Sequence, residues 1–179
     1  MTYAGERTIY DADSHLMELP DFLSAHASEK IKDRLPNLQE ILTGQFDPDS
    51  HAGKQGHNPE NVDKLLALGD TLTKGPKWHD ALGSFSGPER AKALDLLGFE
   101  RQVIFSSFCA GKVFQCEPTL QYRAARAHNR AMAEFCSADS RLMGVAMVPL
   151  DDPDQAVREI RLCIEAGLSA IWVPARAPG

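Results

Sequence analysis

The chain has 179 residues, 19 Lys and Arg against 25 Asp and Glu, a formal charge of -6, 43% apolar and 25% charged residues. That balance describes one ordinary globular domain rather than a disordered or fibrous chain, and it leaves no basic footprint for nucleic acid. No apolar run approaches the roughly 18 residues of a membrane helix; the N-terminus lacks the features of a signal peptide, and Cys109, Cys116, Cys136 and Cys163 form no CxxC pair, which suits free thiols and a cytoplasmic protein.

Thr8 to Asp13 reads as a short strand. From Pro20, the four-residue recurrence of Leu23, Ala27, Ile31 and Leu35 predicts one helical face, stopped by Pro36. Residues 37–87 are punctuated by Gly44, Pro48, Gly53, Gly56 and Pro59, with a short helix expected around Val62 to Leu68. So long an irregular stretch is usually a functional loop or a disordered one. Pro88 then opens a helix through Ala91, Leu94 and Leu97 that Gly98 ends. A buried strand follows at 102–107, a helix at about 118–137 and a second buried strand at 143–148. Asp152, Pro153 and Gln155 mark the start of a further helix with the apolar stripe Ala156, Ile160, Cys163 and Ile164, and Gly167 stops it. A fourth strand is expected at 169–174.

Near-continuous apolar strands alternating with amphipathic helices predict βαβ units and a parallel sheet. A doubly wound nucleotide binder should carry a glycine-rich loop after its first strand. Asp13-Ser14-His15-Leu16 has no glycine there, which favours a (β/α)8 barrel.

Asp11, Asp13 and His15 lie at the end of the first strand, and strict alternation would turn all three to one face. Barrel enzymes place their sites at that strand end, where a carboxylate and an imidazole two residues apart can bind one divalent metal. Leu16 stands where a calcium loop needs glycine. On spacing alone the pattern is more often that of a polar strand end in which Asp13 or Ser14 caps a helix.

The segment Ile9-Tyr-Asp-Ala-Asp-Ser-His-Leu-Met-Glu-Leu-Pro-Asp resembles the D-x-(H/D/E)-x-H opening of amidohydrolase-related proteins of the aminocarboxymuconate-semialdehyde decarboxylase-like branch. Arg90 to Phe105, Ala124 to Cys136 and Arg141 to Pro153 resemble that family's following elements in the same order, and the likeness weakens only over 37–80. The resemblance implies a metal-dependent (β/α)8 (TIM-type) barrel acting as a hydrolase, or as a non-oxidative decarboxylase, on a small carboxylated or cyclic substrate. It makes Asp13 and His15 the ligands of a divalent metal, zinc or alternatively manganese, with Asp13 in place of a more usual histidine. In that family the other ligands come from strands five, six and eight. The chain ends just after strand four, and (β/α)8 barrels typically need about 250 residues. The expectation is therefore the first four βα units of a barrel with a long insertion after strand one, and a catalytically incomplete fragment is the alternative to an enzyme.

Glu18 either supports the metal ligands or simply occupies the first turn after them, the reading the sequence favours. Arg176, just past strand four, either meets a substrate carboxylate or is a solvated loop arginine. His51 and His57 are expected in solvent, and His128 in a structural place on a helix. Cys109 and Cys116 lack the neighbours of an activated nucleophile, and Ser106-Ser107 lacks a G-x-S-x-G frame. The 37–87 segment is a candidate lid. Strands one and four would be open edges inviting a homo-oligomer, one form of which is a twofold dimer closing a barrel with a second Asp13 and His15. Neither nucleic acid nor a membrane is an expected partner.

Overall fold

The computed structural model describes residues 2–38 and 58–175. Four strands, β1 (Ile9–Leu16), β2 (Phe99–Ser106), β3 (Leu142–Met147) and β4 (Ala170–Trp172), form a parallel sheet in the order β1-β2-β3-β4. The connecting helices are α1 (Pro59–Leu66), α2 (Gly87–Leu97), α3 (Cys109–Phe114), α4 (Pro118–Cys136) and α5 (Pro153–Glu165). A doubly wound sheet reverses its strand order partway; here neighbours in sequence are neighbours in space. Consecutive crossovers of one hand then put the helices on one face, as in an arc of a barrel.

That helical face holds the main core. Leu16, Ile104, Leu142 and Ala146 from the strands pack on Leu94 of α2, Met132, Phe135 and Cys136 of α4, and Cys163 of α5. Gly144 lets α4 approach closely, since a Cβ there would come within 2.6 Å of Leu168, 2.9 Å of Met132 and 3.0 Å of Cys136. Helix starts follow their sequence signals: Asn58, Ser86 and Asp152 each accept a backbone N–H of the first turn, with Pro next in the chain or one residue on. Gly98 ends α2 at φ +72°, the left-handed conformation glycine adopts without penalty.

The predicted helix over 20–35 is replaced by turns and a short 3-10 segment, Glu29–Arg34. Ser28 is extended, and the Ser24 hydroxyl donates to the Asp21 carbonyl, so local side-chain bonding competes with a helix. Burial was still encoded in the spacing: Leu23, Ile31 and Leu35 join Leu38, Val113, Ala124, Ala125 and Met147 in a second core cluster. Helix α3 has no counterpart in the sequence reading, and β4 spans three residues rather than six. Within the 37–87 segment, Val62, Leu65 and Leu82 pack on Ala93 of α2; residues 39–57, with His51 and His57, lie outside the described residues.

Candidate active site

The end of β1 is not a regular strand. Asp11 pairs with Gln102 and Ser14 with Ile104, so three residues of β1 stand against two of β2. Such a bulge resets the alternation of side chains. Asp11 therefore leaves the face expected for it: its Oδ2 accepts from Gln102 Nε2 at 3.0 Å, and its Oδ1 accepts the Asp13 backbone N–H at 3.1 Å. The expectation that Asp11 shares a face with Asp13 and His15 is thereby corrected, because strict alternation holds only for an unbulged strand.

Asp13 and His15 do converge. Asp13 Oδ1 lies 3.5 Å from His15 Nε2, with the Asp13 side chain 93% exposed and that of His15 39% exposed. Two donors at about 2.0–2.2 Å from one ion stand roughly this far apart in a tetrahedral arrangement, so the pair has the separation of two ligands of a single metal. Among the described residues, no group of three or more His, Cys, Asp and Glu side chains converges. His15 packs beside its cross-strand partner Phe105 with ring centroids 5.8 Å apart, and Phe105 meets Trp172 edge-on at 5.9 Å. An imidazole, a phenyl ring and an indole thus run across β1, β2 and β4.

Glu18 is buried completely and faces away from that row. Its Oε1 accepts from the Ser106 hydroxyl, and from the Phe108 N–H and the Cys109 N–H at 3.0 Å apiece. Its Oε2 accepts from Ser107 N–H at 3.1 Å and from Phe108 N–H at 3.0 Å. Helix α3 has no capping side chain of its own; a carboxylate from the end of β1 supplies one, at the positive end of the helix and without exposed charge. The Glu18 carbonyl lies 3.1 Å from Nε2 of buried His79, whose ring stacks on Phe108. These bonds fasten the loop after β1 to the loop after β2, the two loops that flank His15. Cys109, in the same knot, is held well above the usual thiol range by burial and by the Glu18 carboxylate, so it is no nucleophile.

Arg90 fastens the other side of the bulge. It donates to Gly83 O at 2.7 Å, Ser14 Oγ at 2.6 Å and His15 O at 2.8 Å, with a longer bond to Gln102 Oε1 at 3.4 Å. Burial pulls its guanidinium down to about 10, opposed by Asp11, so it remains charged at neutral pH. The sequence carried a signal for it: Arg90 lies on the stripe of Ala93, Leu94 and Leu97, and a charge on an apolar stripe marks a buried, bonded ion. His128 is fully buried on α4, its Nδ1 against Asn129 Oδ1 at 3.0 Å. That oxygen also accepts Met147 N–H, so Nδ1 carries the proton, and Nε2 has no partner among the described residues. Arg176 lies outside the described residues.

No protein-family model matches the sequence, and no curated protein matches it. Among solved structures, the chain is similar to an amidohydrolase from Mycobacterium avium subsp. paratuberculosis K-10, with a TM-score of 0.64 and 19% identity, covering 94% of this chain and 49% of that one. It is also similar to 2,6-dihydroxybenzoate decarboxylase from Rhizobium, with a TM-score of 0.49 and 15% identity, covering 100% of this chain and 41% of that one. The chain spans about half the length of the first of these and less of the second. At such identity the likeness is one of fold. It agrees with the architecture described above, a four-stranded portion of a parallel α/β barrel.

Proposed function

We propose that this chain contributes the first metal ligands, Asp13 and His15, to a metal-dependent hydrolase site of the amidohydrolase type. The observation that carries the proposal is the 3.5 Å separation of Asp13 Oδ1 and His15 Nε2 at the end of β1, where barrel enzymes place their chemistry. A divalent ion, zinc by the chemistry of one imidazole and one carboxylate, supplies Lewis-acid catalysis at neutral pH. The Asp13 carboxylate offsets part of the ion's charge. Arg90, bonded to the Ser14 side chain and the His15 carbonyl, holds the strand end in register so that the imidazole keeps its aim. Phe105 and Trp172 offer a flat apolar wall beside His15, which suits a small cyclic substrate. With two donors from these residues, the rest of the coordination sphere comes from solvent, substrate or another polypeptide segment.

Titration with Zn2+ followed by calorimetry tests the reading. Binding is expected in the unaltered protein and lost in the Asp13→Ala, His15→Ala double variant. Equal binding by both proteins overturns the assignment.

A further inference from the structure

A second concave surface lies on the outer side of the helical layer, away from the row of His15, Phe105 and Trp172. One cleft of about 430 Å3 is lined by Tyr122, Arg126, Gln155, Arg158, Arg161 and Leu162. An adjoining one of about 340 Å3 shares Tyr122, Arg126 and Gln155 with it and adds Arg123, Arg130 and His26. Five arginines therefore line these two adjoining concavities, one between α4 and α5 and the other between α4 and the turns from His26 to Ile31, in a chain whose formal charge is -6.

The fold accounts for one of the five. Arg126 donates through Nε and Nη2 to Glu159 Oε2 at 2.9 and 2.8 Å, and Glu159 is itself buried, its other oxygen accepting from Asn129 Nδ2 at 2.9 Å. Arg126 is thus held rigidly at the wall the two concavities share. Arg123, Arg130 and Arg161 form no ion pair among the described residues, and Arg158 has only the exposed Asp152, already engaged in capping α5. His26 is paired with Glu134 at 3.8 Å.

This placement works against the helices that carry it. Arg123 and Arg126 are three residues apart, Arg126 and Arg130 four, Arg158 and Arg161 three. Like charges at those spacings destabilise a helix by roughly 0.2–0.5 kcal/mol per pair, offset in part by Asp154, Glu165 and Glu134 four residues from Arg158, Arg161 and Arg130. A ligand bearing several anionic groups would relieve the remaining repulsion. Planar guanidinium forks match phosphate oxygens two at a time, and each concavity has the volume of a small-molecule site. Tyr122 and Leu162 give the larger one an apolar wall for an organic moiety.

We propose that these adjoining concavities bind a small organic molecule carrying two or more linked phosphate groups across their shared wall at Arg126, with Arg123, Arg126, Arg130, Arg158 and Arg161 as its anion receptors. The site is independent of Asp13 and His15, so failure of either assignment leaves the other standing.

The test is calorimetric titration of the full chain in buffer of physiological ionic strength with ATP, inorganic tripolyphosphate and citrate. ATP is expected to bind with Kd below about 1 mM, tripolyphosphate more weakly because it lacks a group for Tyr122 and Leu162, and citrate not measurably. The Arg123→Gln, Arg130→Gln, Arg158→Gln, Arg161→Gln variant leaves the Arg126–Glu159 pair intact and should unfold at a midpoint no lower than that of the unaltered protein while losing affinity about tenfold or more, some 1.4 kcal/mol. The Lys74→Gln, Lys77→Gln, Lys92→Gln variant should bind as the unaltered protein does. Absence of ATP binding, undiminished affinity in the arginine variant, equal loss in the lysine variant, or citrate binding as tightly as ATP each overturns the proposal.

Discussion

Replacing Glu18 by glutamine removes a charge and leaves the side chain's shape almost unchanged, in a place where the carboxylate is fully buried and receives donors on both oxygens. Glutamine keeps one acceptor oxygen. Its NH2 group must occupy the other position and there face N–H donors rather than accept from them. If the amide oxygen takes the Oε1 site, Ser107 N–H loses its acceptor and Phe108 N–H loses one of two. Hydrogen bonds to a charged group contribute about 1.5–3 kcal/mol each, and a carboxylate at a partly buried helix N-terminus adds up to about 2 kcal/mol. A loss of about 3–5 kcal/mol is therefore expected, a large part of the roughly 5–15 kcal/mol that holds a domain folded. In urea, with a slope of about 2 kcal/mol per molar, the unfolding midpoint should fall by about 2 M with the slope unchanged. The thiol of Cys109, raised first by burial and then by Glu18, should titrate lower in the variant. A midpoint within about 0.3 M of the unaltered protein would refute the argument that this carboxylate joins the two loops.

Burial holds His128 below its ordinary 6.5, against the opposing effects of Asn129 and Glu18. The folded form then resists a proton that the unfolded chain accepts, so stability is full above pH 6.5 and falls as pH drops below it, by up to about 1.4 kcal/mol per pH unit. Denaturation midpoints compared at pH 7.5 and 5.5 should shift less in His128→Leu than in the unaltered protein; an identical shift would sink the assignment. Cys136 and Cys163 are each pushed up to about 12 mainly by burial, Cys109 is raised well above the usual thiol range by burial and by Glu18, and half-buried Cys116 is raised chiefly by partial burial and by Glu117. Alkylation at neutral pH read by mass spectrometry should therefore label Cys116 first and leave the other three unreacted in the folded protein; prior labelling of any other thiol would contradict this.

Much of the fold was legible in the chain itself, because the signals are local. Pro118, Pro153, Asp152, Gly98 and the apolar runs at 102–107 and 143–148 state where helices and strands begin and end, and the elements lie within a few residues of those positions. The closeness of Asp13 and His15 was legible from their two-residue spacing, which the bulge between Asp11 and Ser14 left effective for this pair. The stretch from Pro20 to Leu35 misled because its four-residue spacing records burial, and a chain of turns can bury every fourth residue as a helix does. Asp11 misled because the bulge that turns it toward Gln102 is a matter of register between β1 and β2, residues 91 positions apart.

The rest required the tertiary structure. That Glu18 caps a helix more than 80 residues away, that Arg90 ties Ser14 and His15 to Gly83, and that five arginines on two helices line two adjoining concavities are facts about which surfaces meet. A sequence specifies those meetings only through the summed packing of the whole core. Local propensity therefore decided what the elements of this protein are, while the burial of charge, which becomes affordable only where donors from distant segments converge, decided what surrounds its candidate site.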